Sequence, residues 1–98
     1  MSTTPSRVSP SGRATEQARA ALDRAEAVGD LPATVEALEW ALAQMRNDPH
    51  EFGESRTYWP HAKLQQRIGF AGPLVFDFGV HEDTRTVFVI RIAWTKRS

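Results

Sequence analysis

The sequence predicts an α+β domain in which an N-terminal helix hairpin covers a C-terminal antiparallel sheet of three strands. Two observations carry this. From Ala18 to Met45 apolar residues recur at three- and four-residue steps, the period of a helix, and beyond Leu64 they alternate every second residue, the period of a strand. A length of 98 residues, 41% of them hydrophobic, supplies one core, so the two halves must share it. Residues 1–9 read as a flexible tail or short edge strand, and residues 10–98 as a single domain.

Ser9-Pro10 is placed to open the first helix, since serine caps free N–H groups and proline fits the first turn. Ala18, Ala21, Leu22, Ala25 and Val28 form a narrow stripe of mostly small side chains, which lets a neighbour approach closely. Gly29 is suited to end this helix in a left-handed conformation. Asp30 caps a second helix with Pro32 in its first turn, and Val35, Leu38, Leu42 and Met45 make its buried stripe. A residue before proline disfavours helical angles, so the helix stops ahead of Pro49. Trp40 points almost opposite the stripe, at about 100° per residue. Its options are packing on the N-terminal segment or a loop, or anchoring a partner.

Residues 50–60 read as a loop around Phe52-Gly53-Glu54-Ser55-Arg56. Strands follow at Leu64–Phe70, Leu74–His81 and Val87–Trp94, with turns at Gly72-Pro73 and Glu82-Asp83-Thr84. Simple alternation places Leu64, Ile68, Phe70, Leu74, Phe76, Phe78, Phe88, Ile90, Ile92 and Trp94 on the core face. The other face then collects Lys63, Gln65, Arg67, Asp77, His81 and Arg91, with Val75 and Val89 between them.

Composition excludes several classes. There is no cysteine, which removes disulfide and thiol chemistry, and His50, His61 and His81 have no metal-ligand spacing, so neither metal nor cofactor is expected. No apolar run approaches the roughly 20 residues of a membrane span, and Met1 to Gly12 lacks a signal-peptide core, which points to the cytosol. Twelve Lys and Arg balance twelve Asp and Glu, unlike the basic excess of a dedicated nucleic-acid binder. Phosphate loops, dinucleotide fingerprints and nucleophile elbows are absent.

Three segments carry a family resemblance: Ala37-Leu38 through Arg46-Asn47-Asp48-Pro49 with Phe52-Gly53-Glu54, Gly72 through Asp83, and Thr86-Val87-Phe88-Val89-Ile90-Arg91-Ile92-Ala93-Trp94. In this order they resemble the RelE/ParE toxin superfamily over residues 14–94. The resemblance implies a short N-terminal strand, which Arg7-Val8-Ser9 could supply. It further implies a toxin-type component of a toxin–antitoxin module, with an antitoxin protein as partner and either the ribosome and mRNA or DNA gyrase as target. Zero net charge, and the lack of a tyrosine or histidine after the last strand, depart from the nuclease members and count against RNA cleavage.

If the chain is a metal-independent endoribonuclease, the outer sheet face is the candidate site. Lys63, Arg67 and Arg91 would supply cations to the phosphate, and His81 the proton transfer. Asp77 would orient an arginine. As a binding surface, the same face offers Lys63, Arg67, Asp77 and Arg91, with Trp40 as a separate anchor. The alternatives are an ordinary solvated face with cross-strand charge pairs, and a non-toxic interaction scaffold with the same fold. The surface requires Arg67 and Arg91 to share one side of the sheet.

Overall fold

The computed structural model describes residues 5–95. The expectation for residues 1–4 within the tail lies outside these. The elements run β1 (Arg7–Pro10), α1 (Gly12–Ala27), α2 (Leu31–Asn47), β2 (Glu54–Trp59), β3 (Leu64–Ala71), β4 (Leu74–His81) and β5 (Thr86–Trp94).

The sheet has five strands rather than three, in the order β1-β5-β4-β3-β2. It is mixed rather than antiparallel, because β1 runs parallel to β5 while β2, β3, β4 and β5 pair antiparallel. β2 occupies residues expected to be loop. Every one of its residues is exposed, and its register shifts between Ser55 and Thr57, so it carries no apolar alternation. β1 offers only Val8 to the core and ends at Pro10, which cannot donate to a ladder.

Both helices form where the spacing places them, with altered ends and faces. Ser11 caps α1, its Oγ accepting from the Ala14 amide at 3.0 Å, while Ser9 and Pro10 belong to β1. Gly29 follows α1 at φ +76°. α2 begins after Asp30, with Thr34 Oγ1 donating to the Asp30 carbonyl at 2.8 Å, and ends before Asp48-Pro49. Its buried residues are Thr34, Ala41 and Met45, so the inward face is turned from the expected one and Val35 and Leu42 are half-buried. In α1 only alanines (Ala14, Ala21 and Ala25) are fully buried, and they bring that helix close over β5.

The face assignment holds for β4, where Leu74, Phe76, Phe78 and Val80 are buried. It inverts along β3: Arg67, Gly69 and Ala71 face the helices opposite Phe78, Phe76 and Leu74, while Phe70 is exposed. Phe52, from the loop after α2, causes the inversion. Its ring lies over Gly69, where a Cβ would fall 2.6 Å from the ring, and stacks on Phe78 with centroids 5.5 Å apart. The core here is filled from above by another element, so β3 needs small residues beneath it.

Along β5 the alternation breaks. Asp77 pairs with Arg91 and Phe78 with Val89, which leaves Ile90 as an extra residue in a bulge. Val87 and Val89 therefore face inward before the bulge and Ile92 after it, while Phe88 and Ile90 are exposed, contrary to the simple alternation. Past the end of the β1 ladder at Val89, the Ile92 amide donates to Gln17 Oε1 of α1 at 2.9 Å. No described helix is long and apolar enough to cross a membrane.

Candidate functional site

The expected cationic surface divides into three places. Arg67 lies under the helices, 7% exposed, and its guanidinium is used internally. Nε donates to the Phe52 carbonyl at 3.0 Å, Nη2 to the Gly53 carbonyl at 2.8 Å, and Nη1 to Gln65 Oε1 at 3.0 Å. A buried guanidinium is tolerated only when its donors are satisfied, and here two of the three acceptors are the main chain of one tight loop. Gly53 makes that loop tight: its φ is +77° and a Cβ would sit 2.2 Å from the Ile68 carbonyl oxygen. Arg67 thus clamps the α2–β2 connection onto β3.

Arg91 and Asp77 remain together on the opposite side, with Nε donating to Oδ2 at 2.7 Å. Arg91 is half exposed and Asp77 mostly covered, so the pair is a cross-strand contact that uses one edge of the guanidinium. Around it the outer face is more apolar than alternation predicted. Phe70, Phe88, Ile90 and Trp59 are exposed there, and Leu64 lies across Gly79, whose Cβ would fall 3.0 Å from it.

Lys63 sits in the turn between β2 and β3 at φ +49°, its Nζ 3.1 Å from Asp83 Oδ2. The hydrogen bond and charge of Asp83 raise the Lys63 pKa above its ordinary value. Beside it the Tyr58 hydroxyl donates to Glu82 Oε2 at 3.4 Å, and desolvation followed by the Glu82 carboxylate raises the phenol's pKa. His81 ends β4 at the same end of the sheet. Its Nδ1 accepts from the Thr84 amide at 3.2 Å and lies 2.9 Å from Thr84 Oγ1.

Trp40 projects from α2, half exposed, with its ring edge-on to Phe52 at 5.6 Å. With Ala37, Phe70 and Gly72 it lines a shallow groove of about 480 Å³ between α2 and the end of β3. This satisfies the loop-packing expectation and leaves one side of the indole open.

Two residues that sequence reasoning passed over complete the picture. His50 and Gln65 link to Arg67, because His50 Nδ1 lies 3.4 Å from the same Gln65 Oε1 that accepts from Arg67. His50 and His81 line one cleft of about 270 Å³, with Ser6, Asp48, Glu82 and Arg85 around it. Their separation of 31 positions concealed this. Among the described residues no group of His, Cys, Asp and Glu could hold a metal ion.

No protein-family model matches the chain, and no curated protein matches it. A solved structure does: a chain of the chromosomal ParDE TA system from P. aeruginosa aligns with a TM-score of 0.65, over 96% of this chain and 100% of that one, at 9% identity. The fold is RelE/ParE-like. The RelE/ParE-like frame therefore stands although Arg67 and Arg91 lie on different sides of the sheet. That separation removes the surface drawn from simple alternation, and identity this low carries no residue's role across.

Proposed function

We propose that this chain is the toxin-type component of a toxin–antitoxin module, acting on a cellular target and neutralised by an antitoxin protein. The observation that carries the reading is the fold likeness to the ParDE structure along nearly the whole chain. The surface agrees with it. Trp40, Phe70, Phe88 and Ile90 leave aromatic and branched side chains about half exposed, which suits a chain that works with a partner. Zero net charge favours a protein target such as gyrase over the ribosome and mRNA.

The test is inducible expression in a bacterial host, following growth and RNA integrity together, with and without the product of the neighbouring gene. The expected result is growth arrest relieved by the neighbour, with RNA intact. Normal growth despite folded protein at high level would overturn the reading. RNA degradation would move it to the endoribonuclease alternative.

A further inference from the structure

Both helices pack on one side of the sheet, α1 on β5 and β1 and α2 on β1, β3 and β4, where Phe76 and Phe78 lie in the core. Among the described residues no element covers the other side. The register puts Trp59, Leu64, Ile68, Val75 and Phe88 there, with Ile90 beside them in the bulge. Trp59, Phe88 and Ile90 are about half exposed, and Leu64, Ile68 and Val75 are half-buried. A sheet with one face in water ordinarily alternates apolar inward and polar outward. A continuous apolar face of this kind marks a contact surface.

The charges of this face say what fits it. Asp77 and Arg91 stand opposite one another on the two middle strands, with Ile68 on the far flank of Asp77. Glu54 and Thr57 of β2 make a polar rim. Arg91 donates only through Nε, so its Nη1 and Nη2, and Asp77 Oδ1, have no hydrogen-bond partner among the described residues. A guanidinium holds a carboxylate best through two donors. The complement of this surface is therefore an acceptor and a donor side by side, set among apolar groups. The face itself carries that pattern. A two-fold axis beside the pair sets Arg91 of each copy against Asp77 of the other, which gives four alternating charges and lays apolar side chains against apolar ones.

We propose that the outer sheet face is the interface of a homodimer, with two copies packed sheet against sheet and Arg91 and Asp77 exchanged across the axis. The size is sufficient. Five strands about 4.8 Å apart, crossed over about eight residues at about 3.3 Å each, make a face of about 24 by 26 Å, or about 600 Å². Two such faces bury about 1,200 Å², the lower limit of a stable specific interface. Packed sheets lie about 10 Å apart, a gap that the exposed rings of Trp59 and Phe88 fill from both sides. Zero net charge lets two copies approach without mutual repulsion. The proposal does not rest on the toxin reading.

The experiment weighs the purified full chain by sedimentation equilibrium over a concentration series. The expected result is a mass twice the 11.0 kDa of one chain, with a Kd of about micromolar order for an interface of this size. Arg91→Asp and Asp77→Arg each give a monomer, with circular dichroism showing both folded. Mixed in equal amounts, these two variants recover a heterodimer. Each lacks the pair within its own sheet, yet each offers the other its complement at both crossed contacts. Phe88→Lys is monomeric too, whereas Val28→Lys, at an equally exposed apolar residue beside α1, remains dimeric. A monomer throughout the series overturns the proposal. So does a dimer that survives Phe88→Lys, or a pair of charge reversals that does not complement on mixing. A monomeric wild type whose Phe88→Lys variant no longer answers to the neighbouring gene's product gives the face to that partner and overturns it as well.

Discussion

Replacing Arg67 with alanine separates a clamp from a surface cation. Truncation removes three donors and strands the carbonyls of Phe52 and Gly53, while the Gln65 amide oxygen keeps its weaker contact with His50 Nδ1 at 3.4 Å. A buried acceptor left without a partner costs about 1–3 kcal/mol. Phe52 is buried and bears this in full, whereas Gly53 is exposed and water replaces much of the loss. Gln65 lies between these cases. Part of the cost is offset because the guanidinium no longer has to be desolvated. The sum is a destabilisation of about 2–4 kcal/mol, a large share of the roughly 5–15 kcal/mol that holds a domain together. At about 4–8 °C per kcal/mol for a chain of this size, the midpoint falls by on the order of 10–25 °C. Urea unfolding followed by circular dichroism measures it, with m compared to wild type. Arg67→Lys, which keeps charge but not the fork, recovers only part of the loss. A change below about 0.5 kcal/mol, the range of ordinary surface substitutions, would refute the reasoning and return Arg67 to the pool of functional cations.

The remaining predictions concern the loop, the outer face and the only tyrosine. Gly53→Ala places a methyl against the Ile68 carbonyl at positive φ and lowers stability by about 1–3 kcal/mol, read by thermal unfolding. Phe52→Ala costs about 3–5 kcal/mol and red-shifts the emission of Trp40, which loses the ring that abuts it; an unchanged midpoint would contradict the stacking on Phe78. Asp77→Asn changes stability by no more than about 1 kcal/mol, because Arg91 is half in solvent; a larger loss in a urea titration would mean that the pair is structural. Ultraviolet titration of Tyr58 gives ionisation above the ordinary value near 10, and Glu82→Gln moves it back toward that value without abolishing the desolvation part. The raised phenol and the raised Lys63 both favour the protonated folded state, so their contribution is complete below the unfolded values and fades as pH rises through the folded ones.

What was legible in the sequence depended on whether a residue's own segment determined its surroundings. The helix hairpin and the three later strands could be read because each carries its own period. β2 could not, since Glu54–Trp59 is an edge strand exposed on every residue and nothing alternates. β3 was read with the wrong face inward because Leu64, Ile68 and Phe70 outweigh Arg67, Gly69 and Ala71 in any local count. The inward choice was made by Phe52, which comes from another part of the chain and needs the room above Gly69. β5 was misread at Phe88 and Ile90 because a bulge is invisible to alternation. The same causes shaped the site. Arg67 followed its strand to the inner side and became a clamp, and His50 and His81 came to line one cleft, a juxtaposition that spacing does not encode.

The strand order has a consequence for how this chain can be made. β5 lies between β1 and β4, so the last of the sheet's strands to leave the ribosome must slot into a gap whose two walls are the first strand, β1, and the strand just before it in sequence, β4. Until it arrives, β1 has no ladder at all, and β4 presents an open, apolar edge. A nascent or truncated chain lacking residues 86–94 therefore exposes two sticky borders at once, which makes the closing strand the guard against aggregation during synthesis as well as a wall of the finished core.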